Sequence, residues 1–286
     1  MAYTKEEFKQ LVDDIQSQSW YKNPVGFGIA RVDRGQINKD KILQATFPLI
    51  NWNENFGSAA VLLNALKVAG ENLDTSKSEL VCKISDAFLT SCIEAFRPFI
   101  PEAKGDAHKN VQVISTLASL PIDSGLTAED YRVVFIFEDA APESTEAVYL
   151  KLYALSTGKA ALRSLNLNGA FGKLHNCAWV GNQPIELDWL RANEIVLKLS
   201  GKYPNIDFVD KFPRLLQHVI LADNTRILDS GKVRMGAQLA AGTTVMPGAA
   251  YINFNAGTLG SVMVEGRISS SAVVGAGSDV GGGASI

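Results

Sequence analysis

A six-residue hydrophobic period in the last sixty residues constrains the fold of this chain more than any other feature of its sequence. An apolar side chain returns at every sixth position, and the count slips by one residue once. This period fits neither an amphipathic helix nor a half-buried strand, but it is typical of a parallel β-helix, in which each hexapeptide forms one flat side of a coil. The ten positions are Ile227, Val233, Leu239, Val245, Tyr251, Val262, Ile268, Val274, Val280 and Ile286.

The region before the repeats has mixed helical and strand patterns, so we predict an α+β N-terminal domain over residues 1–217 and a β-helix over residues 218–286. Thr4 and Glu7 have the spacing of a capping box, which marks the start of a first helix. The predicted helices span about residues 4–19, 58–68, 78–96, 145–155 and 187–199, and the predicted strands span 25–32, 111–120 and 132–137.

Composition narrows the class of protein. A net charge of −3 argues against a nucleic-acid binder, whose basic face would dominate. No apolar run approaches the ~18 residues of a membrane span, and the acidic N-terminus suits no targeting signal. The three cysteines, Cys82, Cys92 and Cys177, form neither a CxxC pair nor a disulfide framework. We therefore expect a soluble cytoplasmic protein that binds neither nucleic acid nor membrane.

Three phrases within the repeats are more specific than the period itself. They are Asn-Phe-Asn-Ala-Gly-Thr at 253–258, Met-Val-Glu-Gly-Arg-Ile-Ser at 263–269 and Gly-Ser-Asp-Val-Gly-Gly-Gly-Ala-Ser at 277–285. Together they resemble the tetrahydrodipicolinate N-succinyltransferase family, in the longer form found in many bacteria. The strong match covers about residues 230–286, and the mixed region before it is compatible with that family's N-terminal domain.

The resemblance implies both an architecture and a reaction. The family folds as a left-handed parallel β-helix and assembles as a homotrimer with active sites between neighbouring solenoids. It transfers a succinyl group from succinyl-CoA to the amino group of ring-opened tetrahydrodipicolinate, on the route to diaminopimelate and lysine. Succinyl-CoA is thus expected as a co-substrate, and no bound cofactor is expected.

Glu265 is the candidate catalytic residue. It is the only acidic residue between Asp229 and Asp279, and it lies among small, apolar neighbours. A carboxylate partly withdrawn from water has a raised pKa and can act as a base. In the family that the chain resembles, the glutamate of the Met-Val-Glu-Gly-Arg phrase is assigned to catalysis, either as a base or as an acyl-anhydride nucleophile. The alternative is a solvated carboxylate that pairs with Arg267.

Substrate binding needs groups that hold carboxylate and acyl oxygens. A guanidinium suits a carboxylate, and exposed N–H groups at a glycine-rich corner can bind acyl or phosphate oxygens. Asparagines in coils are equally often structural ladders, and a lone arginine is more often a surface charge. The succinyl-CoA-binding candidates are Arg267, Gly282 and Ser285, and the weaker acceptor-binding candidates are Asn253, Asn255 and Arg234.

Two departures from the family and two alternatives remain. The chain stops at Ile286 within an unfinished coil, so we expect a β-helix that is truncated at its C-terminal end. Pro247–Ala250 holds no acidic residue where some relatives have a metal ligand, and no metal is predicted.

Another hexapeptide-repeat CoA-dependent acyltransferase would commonly use a histidine in the coils, but residues 219–286 contain none. A non-enzymatic β-helix scaffold would have uniform coils without a charged pair.

Overall fold

The computed structural model describes residues 4–120 and 127–286. The helices are α1 (Lys5–Gln16), α2 (Phe56–Val68), α3 (Asp86–Phe96), α4 (Lys109–Ser119), α5 (Thr145–Ser156), α6 (Ala170–Lys173) and α7 (Leu187–Leu199). The strands are β1 (Gly26–Arg34), β2 (Ile42–Thr46), β3 (Ile50–Trp52), β4 (Glu79–Lys83), β5 (Tyr131–Ile136), β6 (Cys177–Val180), β7 (Gln183–Glu186), β8 (Phe208–Asp210), β9 (Arg226–Ile227), β10 (Thr244–Val245), β11 (Tyr251–Ile252), β12 (Gly257–Thr258), β13 (Met263–Val264), β14 (Arg267–Ile268), β15 (Val273–Val274) and β16 (Asp279–Val280). Within the described ranges, no helix has both the length and the apolar character to cross a membrane.

The first of two compact units comprises Met1–Val32 and Thr46–Leu150. At its centre, β1 pairs with β3 and β5, and β5 pairs with β4, all antiparallel. Phe27 of β1 and Phe135 of β5 are register partners, and their rings stack with centroids 6.0 Å apart. Side chains from α2, α3 and α4 join these strands in one apolar cluster. The unit is therefore an antiparallel sheet with these helices packed against it, which is an α+β arrangement.

Most of the elements predicted before the repeats are confirmed. The capping box is formed, because Thr4 Oγ1 accepts from the Glu7 N–H at 3.1 Å and the Thr4 N–H donates to Glu7 Oε2 at 3.0 Å. Helix α1 ends at Gln16, three residues earlier than predicted. Helices α2, α5 and α7 and strands β1 and β5 occupy the predicted segments within a few residues.

The strand predicted over residues 111–120 is wrong, since this segment is helix α4. Its buried side chains are Val111 and Ile114, three residues apart, and Leu117 packs against the same cluster. This spacing places the three side chains on one helical face. The β-branched residues favour a strand locally, but burial of that face outweighs the preference.

The single helix predicted over residues 78–96 is also wrong. Its first part is strand β4, which pairs with β5, and only its second part is helix α3. Ser85 separates the two, because its hydroxyl accepts from the Phe88 N–H at 3.2 Å and caps the helix. The apolar residues recur every four positions on both sides of this cap, which is why the sequence predicts a single helix. The Ser-Asp pair is a typical helix start and marks the true boundary.

The second unit comprises Asp33–Ala45 and Lys151–Ile286. Strands β7, β6 and β8 form a small antiparallel sheet, and the residues after it form parallel coils of two-residue strands. One ladder runs β9, β10, β13 and β16, and further ladders pair β11 with β14 and β12 with β15. The boundary predicted at residue 218 follows the repeat pattern rather than these two units, and it stays a prediction.

Aliphatic side chains stack inside the coils, as the period predicts. Val245 and Val264 are register partners and are fully buried. Val262 is buried in the same core cluster as predicted, but the position predicted at Tyr251 is wrong, because Ile252 occupies the inward site of that strand. The reason is that the connections between strands differ in length. Five residues separate β10 from β11, which moves the inward position of β11 one residue later than the six-residue period predicts.

Glu186 fastens the turn between β1 and β2 to the sheet of the second unit. Its Oε2 accepts from the Ile37 N–H at 2.7 Å, and its Oε1 accepts from Lys41 Nζ at 3.0 Å. Burial raises the pKa of the Glu186 carboxyl, but these bonds outweigh it and hold the pKa below its usual range. A side chain on Gly35 would lie 2.9 Å from the same carboxylate, so the turn needs glycine there.

We predict that Glu186→Gln lowers the free energy of unfolding by ~1–3 kcal/mol at pH 7, because the amide cannot replace the charge-assisted bonds. A depressed folded-state pKa contributes stability that is complete above the unfolded pKa of about 4.3 and is lost as the pH falls through the folded value. The gap between the variant and the wild type should therefore close below about pH 4. Urea unfolding across this pH range measures the gap.

Glu194→Gln is the matched control, because Glu194 forms an exposed pair with Lys198 on α7. Exposed pairs of this kind contribute about 0.3–0.5 kcal/mol. Equal losses in the two variants would show that Glu186 does not anchor the turn.

Candidate functional site

The candidate site lies at the shortest corner of the coils. From β10 onward, four or five residues separate each strand from the next, but only Glu265 and Gly266 separate β13 from β14. Val264 and Val280 are consequently sixteen residues apart, whereas Ile227 and Val245 are eighteen apart. The predicted catalytic residue thus occupies the one place among these strands where the chain turns in two residues.

Close backbone packing makes this turn possible. The N–H groups of Glu265 and Gly266 both donate to the carbonyl oxygen of Val280, at 2.8 and 3.0 Å. A Cβ on Gly266 would lie 2.5 Å from the carbonyl oxygens of both Gly281 and Ala284, so no other residue fits without displacing the neighbouring coil. Gly266 is therefore required by the contact with the next corner, not by its own backbone angles.

The carboxylate of Glu265 lies beside the glycine-rich corner of that next coil. Its Oε2 is 3.7 Å from the position a Cβ on Gly282 would take, and the side chain is half-buried. In the part of the chain that the structure describes, it forms no salt bridge with Arg267, so the ion pair of the alternative interpretation is not formed. The structure therefore brings two predicted site residues together, Glu265 and Gly282.

Arg267 and Ser285 are also brought together, on the side of the coil that follows the corner. They are register partners, and the Arg267 N–H donates to the Ala284 carbonyl at 2.8 Å. The neighbour of Arg267 in the preceding coil is Tyr251. Arg267 is exposed, so its guanidinium is accessible to a ligand. Its neighbours in sequence, Gly266 and Ile268, are buried, which fixes its backbone.

Arg234 and Asn253 form a second pair on the same side of the coils. Arg234 Nη1 donates to Asn253 Oδ1 at 3.1 Å, and its Nε and Nη2 donate to the two carboxylate oxygens of Asp210 at 3.0 Å each. Its guanidinium also lies 5.9 Å from the Tyr251 ring centroid. Arg234 is therefore held by protein groups on three of its nitrogens, unlike a free surface charge.

Asn255 has contacts that match the structural interpretation. Its Oδ1 accepts from the Arg163 N–H at 2.8 Å, and its Nδ2 donates to Ser271 Oγ at 3.3 Å. It adopts a left-handed backbone with φ of 55°, which asparagine tolerates better than most residues. The oxygen and the nitrogen of its side-chain amide thus each hold a neighbouring segment in place.

Sequence reasoning missed Asp210 and Tyr251. Asp210 has no sequence signal, because it approaches Arg234 from β8, which is outside the repeats. Tyr251 was assigned to the interior by the uniform period, whereas its outward position follows once the five-residue corner is counted. Asp210 accepts a hydrogen bond from Arg234, and Tyr251 is the register partner of Arg267. Both residues therefore lie beside arginines on the outer surface of the coils.

His175 and Cys177 do not form a reactive pair. Burial raises the pKa of the Cys177 thiol to about 11, so the thiol stays protonated at neutral pH. Burial, with help from Lys41, lowers the pKa of His175. Among the residues that the structure describes, no three His, Cys, Asp or Glu side chains are grouped to hold a metal ion.

Comparison with known proteins identifies related sequences along the whole chain. Residues 6–172 match the family model described as the N-terminal part of tetrahydrodipicolinate N-succinyltransferase, and residues 174–214 match that of its middle part. A relative from a Nitratiruptor species, named 2,3,4,5-tetrahydropyridine-2,6-dicarboxylate N-succinyltransferase, is 68% identical over all of this chain and 72% of its own length.

Two further likenesses come from Campylobacter jejuni. A protein with the same name is 56% identical over all of this chain and 72% of its own length. A crystal structure from that organism, described as a putative 2,3,4,5-tetrahydropyridine-2-carboxylate N-succinyltransferase, is 55% identical and superposes with a TM-score of 0.93. The superposition covers 99% of this chain and 72% of the other. The likeness therefore includes both compact units and the coils.

Proposed function

The chain belongs to the tetrahydrodipicolinate N-succinyltransferase family, and we propose that it transfers a succinyl group from succinyl-CoA to the amino group of ring-opened tetrahydrodipicolinate. The reaction is a step towards diaminopimelate and lysine, and succinyl-CoA is a co-substrate rather than a bound cofactor. One observation within the structure carries the assignment of the site: Glu265 stands at the two-residue corner with its carboxylate beside Gly282.

Glu265 is proposed to act on the attacking amine. The neutral amine loses a proton as its nitrogen bonds to the thioester carbonyl carbon, and the half-buried carboxylate is placed to accept that proton. The new C–N bond then forms, the C–S bond breaks, and CoA leaves as the thiolate, which takes up the proton. If Glu265 instead attacks the thioester first, it forms an acyl anhydride that the amine opens, with the same overall balance.

The glycine-rich corner is proposed to hold the acyl group. Gly281, Gly282 and Gly283 are exposed and have no side chains, so a substrate oxygen can approach their N–H groups closely. Donors fixed in place near Glu265 would stabilise the negative charge that develops on the carbonyl oxygen. Ser285 adds a hydroxyl at the end of this corner.

Arg267 is proposed to bind the succinyl carboxylate. It is exposed, one residue beyond the Glu265–Gly266 corner, and its register partner is Ser285. A guanidinium holds a carboxylate by two parallel hydrogen bonds, which also fixes its orientation. The acceptor's carboxylates are assigned to the neighbouring pair of Arg234 and Asn253, with Asn255 as a bracing residue.

Family membership supports a proposal for the assembly and location of the protein. We propose a left-handed coil, a homotrimer with the active site completed by a neighbouring solenoid, and a cytoplasmic location. Exposed apolar side chains on the coils support the trimer, since Leu228, Leu259 and Met263 are 53%, 62% and 41% exposed. The free, buried thiols of Cys82, Cys92 and Cys177 fit a reducing compartment.

We predict that Glu265→Gln lowers the rate of the chemical step by ~10²-fold or more, because the amide cannot accept the proton or form an anhydride. Substrate affinity should change little, since the amide keeps the volume of the side chain. Single-turnover succinyl transfer, followed as CoA release in the presence of the amino acceptor, measures the step. The melting temperature should stay near that of the wild type.

Glu194→Gln, at an exposed carboxylate of α7, is the control with the same chemical change. It should keep the wild-type rate. A Glu265→Gln variant that retains more than half of the wild-type rate would exclude both proton transfer and covalent catalysis by this residue. Loss of the fold would show that Glu265 is instead a packing residue.

A second prediction concerns the acyl donor. Arg267→Ala should reduce the use of succinyl-CoA by about 30-fold or more, because a charged partner is lost, while the use of acetyl-CoA should change much less. The comparison of kcat/KM for the two donors measures this selectivity. Equal losses with both donors would show that Arg267 does not bind the succinyl carboxylate.

A further inference from the structure

Tyr251 is the only aromatic residue in strands β9 to β16, and the proposed reaction assigns it no role. The connection from β10 to β11 has five residues, where most of the later connections have four, and this places Ile252 inside the coil and Tyr251 outside. An outward tyrosine presents one hydroxyl, which can donate a hydrogen bond without carrying a charge. The side chain is only half-buried, so it is accessible to a ligand.

The backbone of Tyr251 contacts the corner that carries Glu265. The Tyr251 N–H donates to the Gly266 carbonyl oxygen at 3.2 Å, and Tyr251 is the register partner of Arg267 in the next coil. Register partners in neighbouring strands lie about 4.8 Å apart. Tyr251 therefore stands one coil away from the proposed base, on the side of the coil where the chain leaves the corner.

The ring of Tyr251 lies near the guanidinium of Arg234, the candidate for the acceptor's carboxylate. Arg234 Cζ is 5.9 Å from the ring centroid, which is within cation–π distance. Asp210 and Asn253 accept from three of the five N–H donors of that guanidinium, so the described contacts leave two donors for a ligand. Within the described ranges, the Tyr251 hydroxyl forms no hydrogen bond. Unused donors of both residues thus lie beside the corner of Glu265.

The chemistry of the acceptor requires such donors close to the base. Opening the C=N bond of tetrahydrodipicolinate with water leaves an amine and a carboxylate on the same carbon, and a keto acid at the far end. When Glu265 accepts a proton from that amine, the carboxylate next to the amine also lies close to Glu265. Two carboxylates in one site repel each other unless donors bind one of them.

We propose that Tyr251 is a further acceptor-binding residue, whose hydroxyl, together with the two remaining N–H donors of Arg234, binds the carboxylate next to the reacting amine. The inference rests on the proposed succinyl transfer and extends it, because it states which end of the acceptor lies against Glu265. A neutral hydroxyl suits this position, since a further cation there would weaken the basicity of the nearby carboxylate.

A matched pair of ligands tests this assignment. 2-Aminoheptanedioate has the amine and both carboxylates of the acceptor, and 6-aminohexanoate is the same molecule without the carboxylate next to the amine. Isothermal titration should show saturable binding of 2-aminoheptanedioate to the wild type. Tyr251→Phe removes only the hydroxyl and should weaken this binding by about tenfold or more, the usual effect of one hydrogen bond to a charged group. Binding of 6-aminohexanoate should not change.

Tyr203→Phe is the control with the same chemical change, because Tyr203 is an exposed tyrosine after α7 and outside the coils. It should bind both ligands as the wild type does. If Tyr251→Phe weakens both ligands equally, the hydroxyl does not bind that carboxylate. Unchanged binding of 2-aminoheptanedioate by this variant, or no saturable binding by the wild type, would also overturn the proposal. The melting temperature of each variant verifies the fold.

Steady-state kinetics separates this inference from the proposed reaction. Tyr251→Phe should raise the KM of the acceptor by about tenfold and leave the KM of succinyl-CoA near that of the wild type. A rise in the KM of succinyl-CoA instead would place Tyr251 in the donor site beside Arg267 and overturn the proposal. A wild-type protein that binds 2-aminoheptanedioate but transfers no succinyl group would contradict the proposed function alone, because the titrations contain no acyl donor.

Discussion

The candidate site depends on the close backbone packing at Gly266. There the chain turns from β13 to β14 in two residues, and the carbonyl oxygens of Gly281 and Ala284 occupy the space that any side chain would need. Because the Glu265 and Gly266 N–H groups share the Val280 carbonyl, the two coils are locked in one register. That register determines which residues of the next coil stand beside Glu265.

The contrast between adjacent corners then distinguishes the candidate site from the rest of the stacked coils. The two-residue turn contacts the segment 281–284, in which three of the four residues are glycine. Glu265 is left half-buried beside Gly282, and Arg267 follows on the adjoining strand next to Ser285. The proposed roles follow from this placement: a carboxylate can accept a proton from an amine, and N–H groups held in place can stabilise an acyl oxyanion.

The sequence reveals the features that depend on neighbouring residues along the chain. The Thr4–Glu7 capping box, helix α7 and the stacked aliphatic residues all follow from local patterns. Long-range packing decides the rest. Helix α4 forms where β-branched residues favour a strand, and Asp210 reaches Arg234 from outside the repeats. A uniform period also cannot reveal uneven corners, so it places Tyr251 inward where the structure has Ile252.

The substitution Gly266→Ala tests this dependence most directly, with Gly275→Ala as its control. A Cβ on Gly275 would have its nearest neighbour, Ser278 Oγ, at 4.0 Å, whereas one on Gly266 would meet two carbonyl oxygens at 2.5 Å. Displacement of a catalytic group by ~1 Å can cost about 10²-fold in rate. We predict a single-turnover loss of at least about that size and a lower melting temperature for Gly266→Ala, with both properties near wild type for Gly275→Ala. A Gly266→Ala protein with the wild-type rate and melting temperature would contradict the claim that this contact builds the site.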